Sequence, residues 1–387
     1  MSNFNDVIPI IYQALDVVSR ELVGFIPAVS RDSTAERAAK DQTVRSHVVP
    51  AITTEDITPG DTPADSGDVD IDSVELTISK AKAAPVRWTA EEQRGVQHSG
   101  QYEAIQRDRF AQAMRALVNE VEKDVGGLFV NASRAYGTAG STPFASDLSA
   151  VAEILKIMKD NGAPTNALKL VFDTSAGANL RSLAQLTNAN QAGTDRTLRQ
   201  GTLLDIHGFE LRESAGVNTQ DNDDETATGT VKTKTGVAHE VGDTEIAIEE
   251  TDASAVVLIA GNYITIGDHK YMVTEGQTSI TSSTGEIKIA APGLMEDVAA
   301  ETTITQNNND FVGNLAFAQS AIHLVTRAPA MPSGGDSAVD VIEVTDPMSG
   351  LAFQVAMYRQ YRRIKYEVGL AWGMKAIKPE HMAVLLG

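Results

Sequence analysis

The chain has 387 residues, 42% of them hydrophobic, enough for two or three domains around a substantial core. It contains no cysteine, so disulfides, thiolate metal sites and a cysteine nucleophile are excluded. Its net charge of −20 argues against nucleic-acid binding by charge attraction, which needs a basic footprint.

The charge is uneven. Thr53 to Leu76 carries Glu55, Asp56, Asp61, Asp65, Asp68, Asp70, Asp72 and Glu75 and no base, a charge of −8. Val217 to Asp310 carries −13, and the remainder is close to neutral. Acidic stretches of this kind act as solvated faces or as partners for basic patches on other chains. No run reaches the ~20 apolar residues of a membrane span. The N-terminus has acids where a secretion signal needs bases, so no signal and no membrane are expected.

In chain order, Asn5 to Gly24 reads as an amphipathic helix, with Ile8, Ile11, Leu15, Val18 and Leu22 on one face and Gly24 as a stop. A polar stretch from Ser30 to Asp41 follows. Thr43–Val49 and Asp72–Lys82 read as strands around a Pro-, Gly- and Asp-rich segment, together a projecting two-stranded loop. Gly100 to Ser133 then repeats apolar residues at Phe110, Met114, Leu117, Val118, Val121 and Val125, the spacing of one helical face. A helix from Gln101 to about Gly126 would be roughly 39 Å long. A stripe that long needs something long to lie against, so it is either a core helix of an enzyme or a spine.

Ser146 to Asn161 reads as a helix with Ser146 as N-cap, Leu168 to Phe172 as a buried strand, and Thr174 to Asn190 as a helix. Two short strands surround Gly208. From Val217 to Gln306 helical periodicity vanishes. Glu245–Ile248, Val256–Ile259, Tyr263–Ile266, Lys270–Thr274, Glu286–Ala290 and Thr303–Thr305 alternate between glycines, which predicts a small β-barrel inserted into the main domain. Helical register returns over Asn309 to Leu324. Strands are predicted at Val339–Val344, Ala352–Tyr358 and Ile364–Leu370. Arg359, Arg362, Arg363 and Lys365 form the densest basic cluster.

Local signatures of chemistry are sparse. The seven histidines lack ligand spacing. Asp68, Asp70 and Asp72 open like a calcium loop, but Ser73 and Ser79 stand where that loop needs Gly and Glu; the Asp221–Glu225 run fails in the same way. No phosphate loop, dinucleotide fingerprint or nucleophile elbow is present. No catalytic, metal or cofactor site is therefore assigned. Trp88 and Trp372 are expected to pack.

The order of these elements resembles the major capsid (coat) proteins of tailed bacteriophages, the α+β fold named after Hong Kong ninety-seven. The run Gly201-Thr-Leu203-Leu-Asp205-Ile206-His-Gly208-Phe209-Glu-Leu211-Arg-Glu-Ser214 is similar to an apical-domain run of that family. Phe311, Asn314, Phe317, Ala321 and Leu324 resemble the segment that follows it. Ser349–Phe353 and Val368–Gly373 resemble the closing peripheral strands. The inserted barrel resembles that of short-tailed Salmonella-type phages.

The resemblance implies an N-terminal arm (1–42), an extended loop and connection (43–99), and a spine helix with peripheral domain (100–145). It further implies an apical domain (146–216), an inserted β-barrel (217–306) and a return through apical to peripheral strands (307–387). It implies a virion shell subunit, assembled in the host cytoplasm, that forms hexamers and pentamers with a separate scaffolding protein and a portal protein. Such a shell encloses double-stranded DNA without sequence-specific binding. Asp56, Asp61, Asp65 and Asp68 are candidate contacts for Arg359, Arg362 and Arg363 of a neighbouring copy. The rival readings are a ligand- or carbohydrate-binding protein with the barrel as its module, and an α/β enzyme with a deep pocket.

Overall fold

The computed structural model describes residues 4–18, 23–48, 72–98, 101–187, 205–221, 231–250, 256–280, 284–307, 309–332, 334–346 and 349–387. Their order begins α1 (Phe4–Val18), β1 (Ser30–Ala38), β2 (Thr43–Val48), β3 (Asp72–Thr77), β4 (Lys80–Thr89), α2 (Ala90–His98) and α3 (Tyr102–Gly126). It continues β5 (Arg134–Gly137), α4 (Ser149–Asp160), β6 (Leu168–Phe172), α5 (Thr174–Ser182), α6 (Ala184–Thr187), β7 (Phe209–Glu213) and β8 (Thr219–Gln220). Then follow β9 (Val231–Thr233), β10 (Glu245–Glu250), β11 (Val256–Leu258), β12 (Tyr263–Ile266), β13 (His269–Glu275), β14 (Gln277–Ile280), β15 (Thr284–Ile289) and β16 (Thr303–Gln306). The last part is β17 (Phe311–Ala318), β18 (Ile322–Pro329), β19 (Asp340–Thr345), β20 (Ala352–Gln360), β21 (Arg363–Ala376) and β22 (Met382–Leu386). The class is mixed α+β and strand-rich.

The long α3 is a spine in the literal sense. Phe110, Met114, Val118, Val121 and Val125 are at most 1% exposed and Leu117 is 4% exposed. They enter one large core with Trp88, Tyr366, Val368, Leu370 and Trp372 of the neighbouring strands. That sheet runs β1-β18-β21-β20-β19, with β4 also paired to β21. A second sheet runs β5-β22-β17-β6-β7, and through β5–β13 pairing it continues into the strands that follow β8. Those strands close on themselves in the order β12-β16-β9-β10-β15-β13, with β13 paired back to β12. The result is a six-stranded barrel with its own core of Val231, Ile246, Ile248, Ile264, Ile266, Tyr271, Val273, Ile287 and neighbours.

Several sequence expectations are corrected. The Asn309–Leu324 segment is not helical but forms β17 and the start of β18. Both faces of β17 are covered, so it shows no polar alternation, and Phe311, Leu315 and Ala318 fall by chance at helical steps. The polar stretch after α1 is β1, paired in parallel to β18, where Arg327 bonds the carboxylate of Asp32 at 2.8 Å. The first helix is described over Phe4–Val18; residues 19–22 lie outside the described residues, and Val23 and Gly24 are not helical. The Asp72–Lys82 strand is broken at Ile78 and Ser79, so Lys80 and Lys82 belong to β4. α4 starts at Ser149, its first amide met by Asp147 (Ser149 N to Oδ1, 3.0 Å) and not by Ser146. The Thr174–Asn190 helix breaks at Leu183, and residues 188–190 lie outside the described residues. Strands β9 and β14 had no forecast.

Candidate intersubunit surface

The spine and strands β4 and β21 form one rod, and its polar ties fix the direction. Trp372 Nε1 donates to Asp124 Oδ2 at 2.9 Å, and Lys80 Nζ donates to Asp124 Oδ1 at 2.7 Å. At the other end Arg109 donates to the carbonyl of Arg87 at 2.9 Å and stacks 3.9 Å over the Trp88 ring. Between them the Phe110 and Tyr366 rings meet edge to face at 5.3 Å. Arg109 to Asp124 spans about 22 Å of helix. Trp88 back to Lys80 spans roughly 26 Å of strand. The lengths match, so helix and strand run side by side. The hydrogen bond it donates to Asp124 holds the Lys80 ammonium above its usual range, against a smaller opposing effect of burial. Burial pushes the Glu120 carboxyl up, but Lys82 and Lys80 outweigh it and hold it below its usual value.

The two ends of the rod differ. One end carries the antiparallel pair β2–β3, which among the described residues joins no larger sheet. Its base is fixed where Thr77 passes Gly373, and Lys375 Nζ donates to the carbonyl of Glu75 at 3.2 Å. Since Glu75 precedes Thr77 and Lys375 follows Gly373, the pair leads beyond the Trp372 end. The opposite end is the β20–β21 turn. There Tyr361 is 91% exposed, Arg359, Arg362 and Arg363 are exposed, and Ala90 N donates to the carbonyl of Arg362 at 3.2 Å. Arg362 holds φ +55, a left-handed turn residue, with its guanidinium 6.0 Å over the Tyr361 ring. Lys365, the fourth member of the basic cluster, is bonded to Glu367 instead. Register from Lys80↔Trp372 to Thr89↔Arg363 separates the two ends by about 30 Å.

Asp56, Asp61, Asp65 and Asp68 lie outside the described residues. Their sequence neighbours in β2 and β3 start from the end of the rod remote from Arg359, Arg362 and Arg363. Sequence reading missed Tyr361, whose signal is a tyrosine between arginines in a turn, a composition enriched at interface hot spots. It also missed Glu122, a helix acid that is only 2% exposed. Its signal was its place directly after Val121, inside the arc of the stripe.

Two clefts are mixed in character. One of 510 Å³ lies between α3 and β4, lined by Ala84, Val86, Ile105, Arg109 and Ala113. Another of 470 Å³ lies between β5, α4 and the β12–β13 turn, where Arg134, Lys156 and Lys270 face Glu153, Asp160 and Asp268. Burial pushes the Lys270 ammonium down, and it donates to the carbonyl of Gly137. Burial likewise lowers His381. Among the described residues no three His, Asp or Glu side chains gather to hold a metal. No helix among them is long and apolar enough to cross a membrane.

No family model and no curated protein matches the chain. Solved structures do. A chain of Mycobacterium phage Che8 is 14% identical over 94% of this chain and 90% of that one, with a TM-score of 0.47. The capsid structure of the cyanophage P-SCSP1u is 12% identical over 95% and 88%, also at 0.47. The crystal structure of a virus-like particle from Pyrococcus furiosus is 9% identical over 96% of each chain, at 0.41.

Proposed function

We propose that the chain is the major capsid subunit of a tailed-phage-type particle, working by self-association and not by catalysis. The observation that carries this reading is the polarity of the rod. The β2–β3 pair, whose strands flank the acidic stretch in sequence, stands at one end, and an exposed Tyr361 with Arg359, Arg362 and Arg363 stands at the other, about 30 Å along the β4–β21 register. A subunit whose complementary surfaces sit at opposite ends cannot satisfy them alone. It meets a copy head to tail, and head-to-tail contacts that close give rings. Apolar contact around such ion pairs supplies most of the stability, and the charges set register.

Under this reading the closed barrel is an insertion between β8 and β17, with the layout of short-tailed Salmonella-type coat proteins. The rings are hexamers and pentamers of a shell around double-stranded DNA, built in the host cytoplasm with a scaffolding and a portal protein. The sequence runs at Gly201–Ser214 and Phe311–Leu324 support the assignment.

Electron microscopy of the expressed protein, with and without a candidate scaffold, tests it. Uniform shells are expected. A monomer that persists even with scaffold overturns the reading and returns the binding-protein alternative. Neutralising Asp56, Asp61, Asp65 and Asp68 together leaves the monomer folded and impairs assembly; normal particles from that variant refute the role given to the loop.

A further inference from the structure

A buried carboxylate holds the chain at the point where the N-terminal arm joins the body. Glu122 Oε1 accepts hydrogen bonds from Gly24 N at 2.6 Å and Phe25 N at 2.7 Å, and Oε2 accepts one from Ile26 N at 3.0 Å. The Ser214 hydroxyl donates a fourth, at 2.6 Å to Oε1. Ser214 Oγ in turn accepts from Gly216 N at 3.0 Å. Three consecutive amides of the entry segment thus converge on one side chain of the spine, which is braced from the end of β7.

Only a carboxylate suits this place. Two oxygens offer about four acceptor sites, and charge-assisted bonds are roughly twice as strong as neutral ones. Glutamine would present one oxygen and turn an N–H2 group toward amides that also donate. The backbone has also been cleared around the carboxylate. A Cβ on Gly216 would lie 2.7 Å from Glu122 Cγ, and one on Gly24 would lie 2.9 Å from Ser214 Cβ and 2.8 Å from Val171 Cγ1. A Cβ on Gly126 would lie 2.7 Å from the Gly216 carbonyl oxygen. Glycine at all three lets arm, spine and β7 approach this closely.

On one side of the joint Phe25, Ile26, Ala28 and Val29 are at most 1% exposed and anchored in the main core. On the other, α1 rests on the body through Val7, Ile11 and Ala14, with Tyr12 54% exposed. A 15-residue helix of this kind is marginal by itself and takes its place from what it packs on.

We propose that Glu122 is the positioning residue of the N-terminal arm: it fixes the point and direction in which the arm leaves the spine. The proposal rests on the shell reading for its consequence. Copies whose arms leave at different points cannot make equivalent contacts, and a closed shell needs equivalent contacts.

Hydrogen exchange of the full-length soluble subunit, read by mass spectrometry on a peptide covering 23–29, tests it. In Glu122→Gln, exchange in that peptide accelerates roughly 10- to 100-fold, while peptides of α3 and β21 keep their protection. Ser214→Ala, which removes one of four bonds, gives a smaller change in the same peptide. Gly216→Ala, which leaves the carboxylate but displaces it, reproduces the Glu122→Gln pattern and covers the case in which that variant fails to fold. By electron microscopy Glu122→Gln gives irregular particles under conditions where the unaltered chain gives uniform ones. An equal loss of protection throughout the chain makes Glu122 a general core residue and overturns the proposal; unchanged exchange at 23–29 overturns it as well. If the unaltered chain forms no shells but the exchange pattern holds, the shell reading falls and the joint stands.

Discussion

The barrel and the spine-backed sheet solve the edge problem of β-structure in opposite ways. In the barrel each of β9, β10, β12, β13, β15 and β16 has partners on both sides, so the ladder closes and presents no row of free amides. Its core is its own, built from residues between Val231 and Ile304. The spine-backed sheet stays open. Among the described residues β4 pairs only with β21, and β19 only with β20. Its stability comes from a helix laid along the strands and from ties distant in sequence, such as Asp124 to Trp372. The closed region pairs its own strands around a core of its own and meets the main body through the β5–β13 pairing and through Tyr263 and Met272, which enter the main core. The open one has ends and edges available to other chains, and that is where a self-assembling subunit would make its contacts.

The contrast is sharpest at the spine. Leu117→Asp or Val121→Asp puts an unpaired charge into the main core, at a cost on the order of 4 kcal/mol or more. Against a total stability of roughly 5–15 kcal/mol this is expected to abolish cooperative unfolding in a thermal melt and to remove soluble subunit. A variant that stays folded and only fails to assemble would make the stripe a surface between copies and would erase the difference drawn here.

In the barrel the expected damage is smaller and confined. Ile287 is fully buried at the centre of β15, and Ile287→Ala should cost about 2–5 kcal/mol. Exchange protection should fall across 231–306 and hold in α3 and β21. Equal loss in both regions would show that the β5–β13 pairing makes them one cooperative unit.

How much of this was legible depended on whether a side chain's surroundings lay close by in sequence. The spine stripe from Phe110 to Val125 could be read because a single helical face repeats it. Five of the six barrel strands, β10, β12, β13, β15 and β16, were readable to within two residues because alternation and glycines are local signals; the sixth forecast strand, Val256–Ile259, is β11, which pairs with β14 apart from the barrel. β9 was not readable, since Val231–Thr233 is too short to show a period. β17 misled because a strand buried on both faces loses its alternation. β1 misled because its polar residues are matched by Arg327, 295 positions away from Asp32. Glu122 looks like any helix-surface acid until residues 24–26 and 214 are placed beside it. The basic cluster at 359–363 was visible as charge, but its position at one end of the rod follows only from the β4–β21 register.

The smallest expected effect tests the ties that hold the open sheet to its helix. Lys80 is raised above its usual value of 10.5, chiefly by its hydrogen bond to Asp124. A cation held above its unfolded value contributes stability that is fully present below the unfolded pKa and is lost as pH rises through the folded one. Its side chain is 37% exposed, so solvent screening limits the contribution to less than about 1 kcal/mol. Asp124→Asn removes the charge that Lys80 feels and keeps an oxygen able to accept from Trp372 Nε1. Melting curves should therefore separate the variant from the unaltered chain by a few degrees or less at pH 7, and the gap should close as pH rises through the raised Lys80 value. A gap that persists unchanged would assign the tie to the Trp372 hydrogen bond alone. The rod would then be held by packing and one neutral contact, much as the barrel is, and the contrast between the regions would reduce to open edges against closed ones.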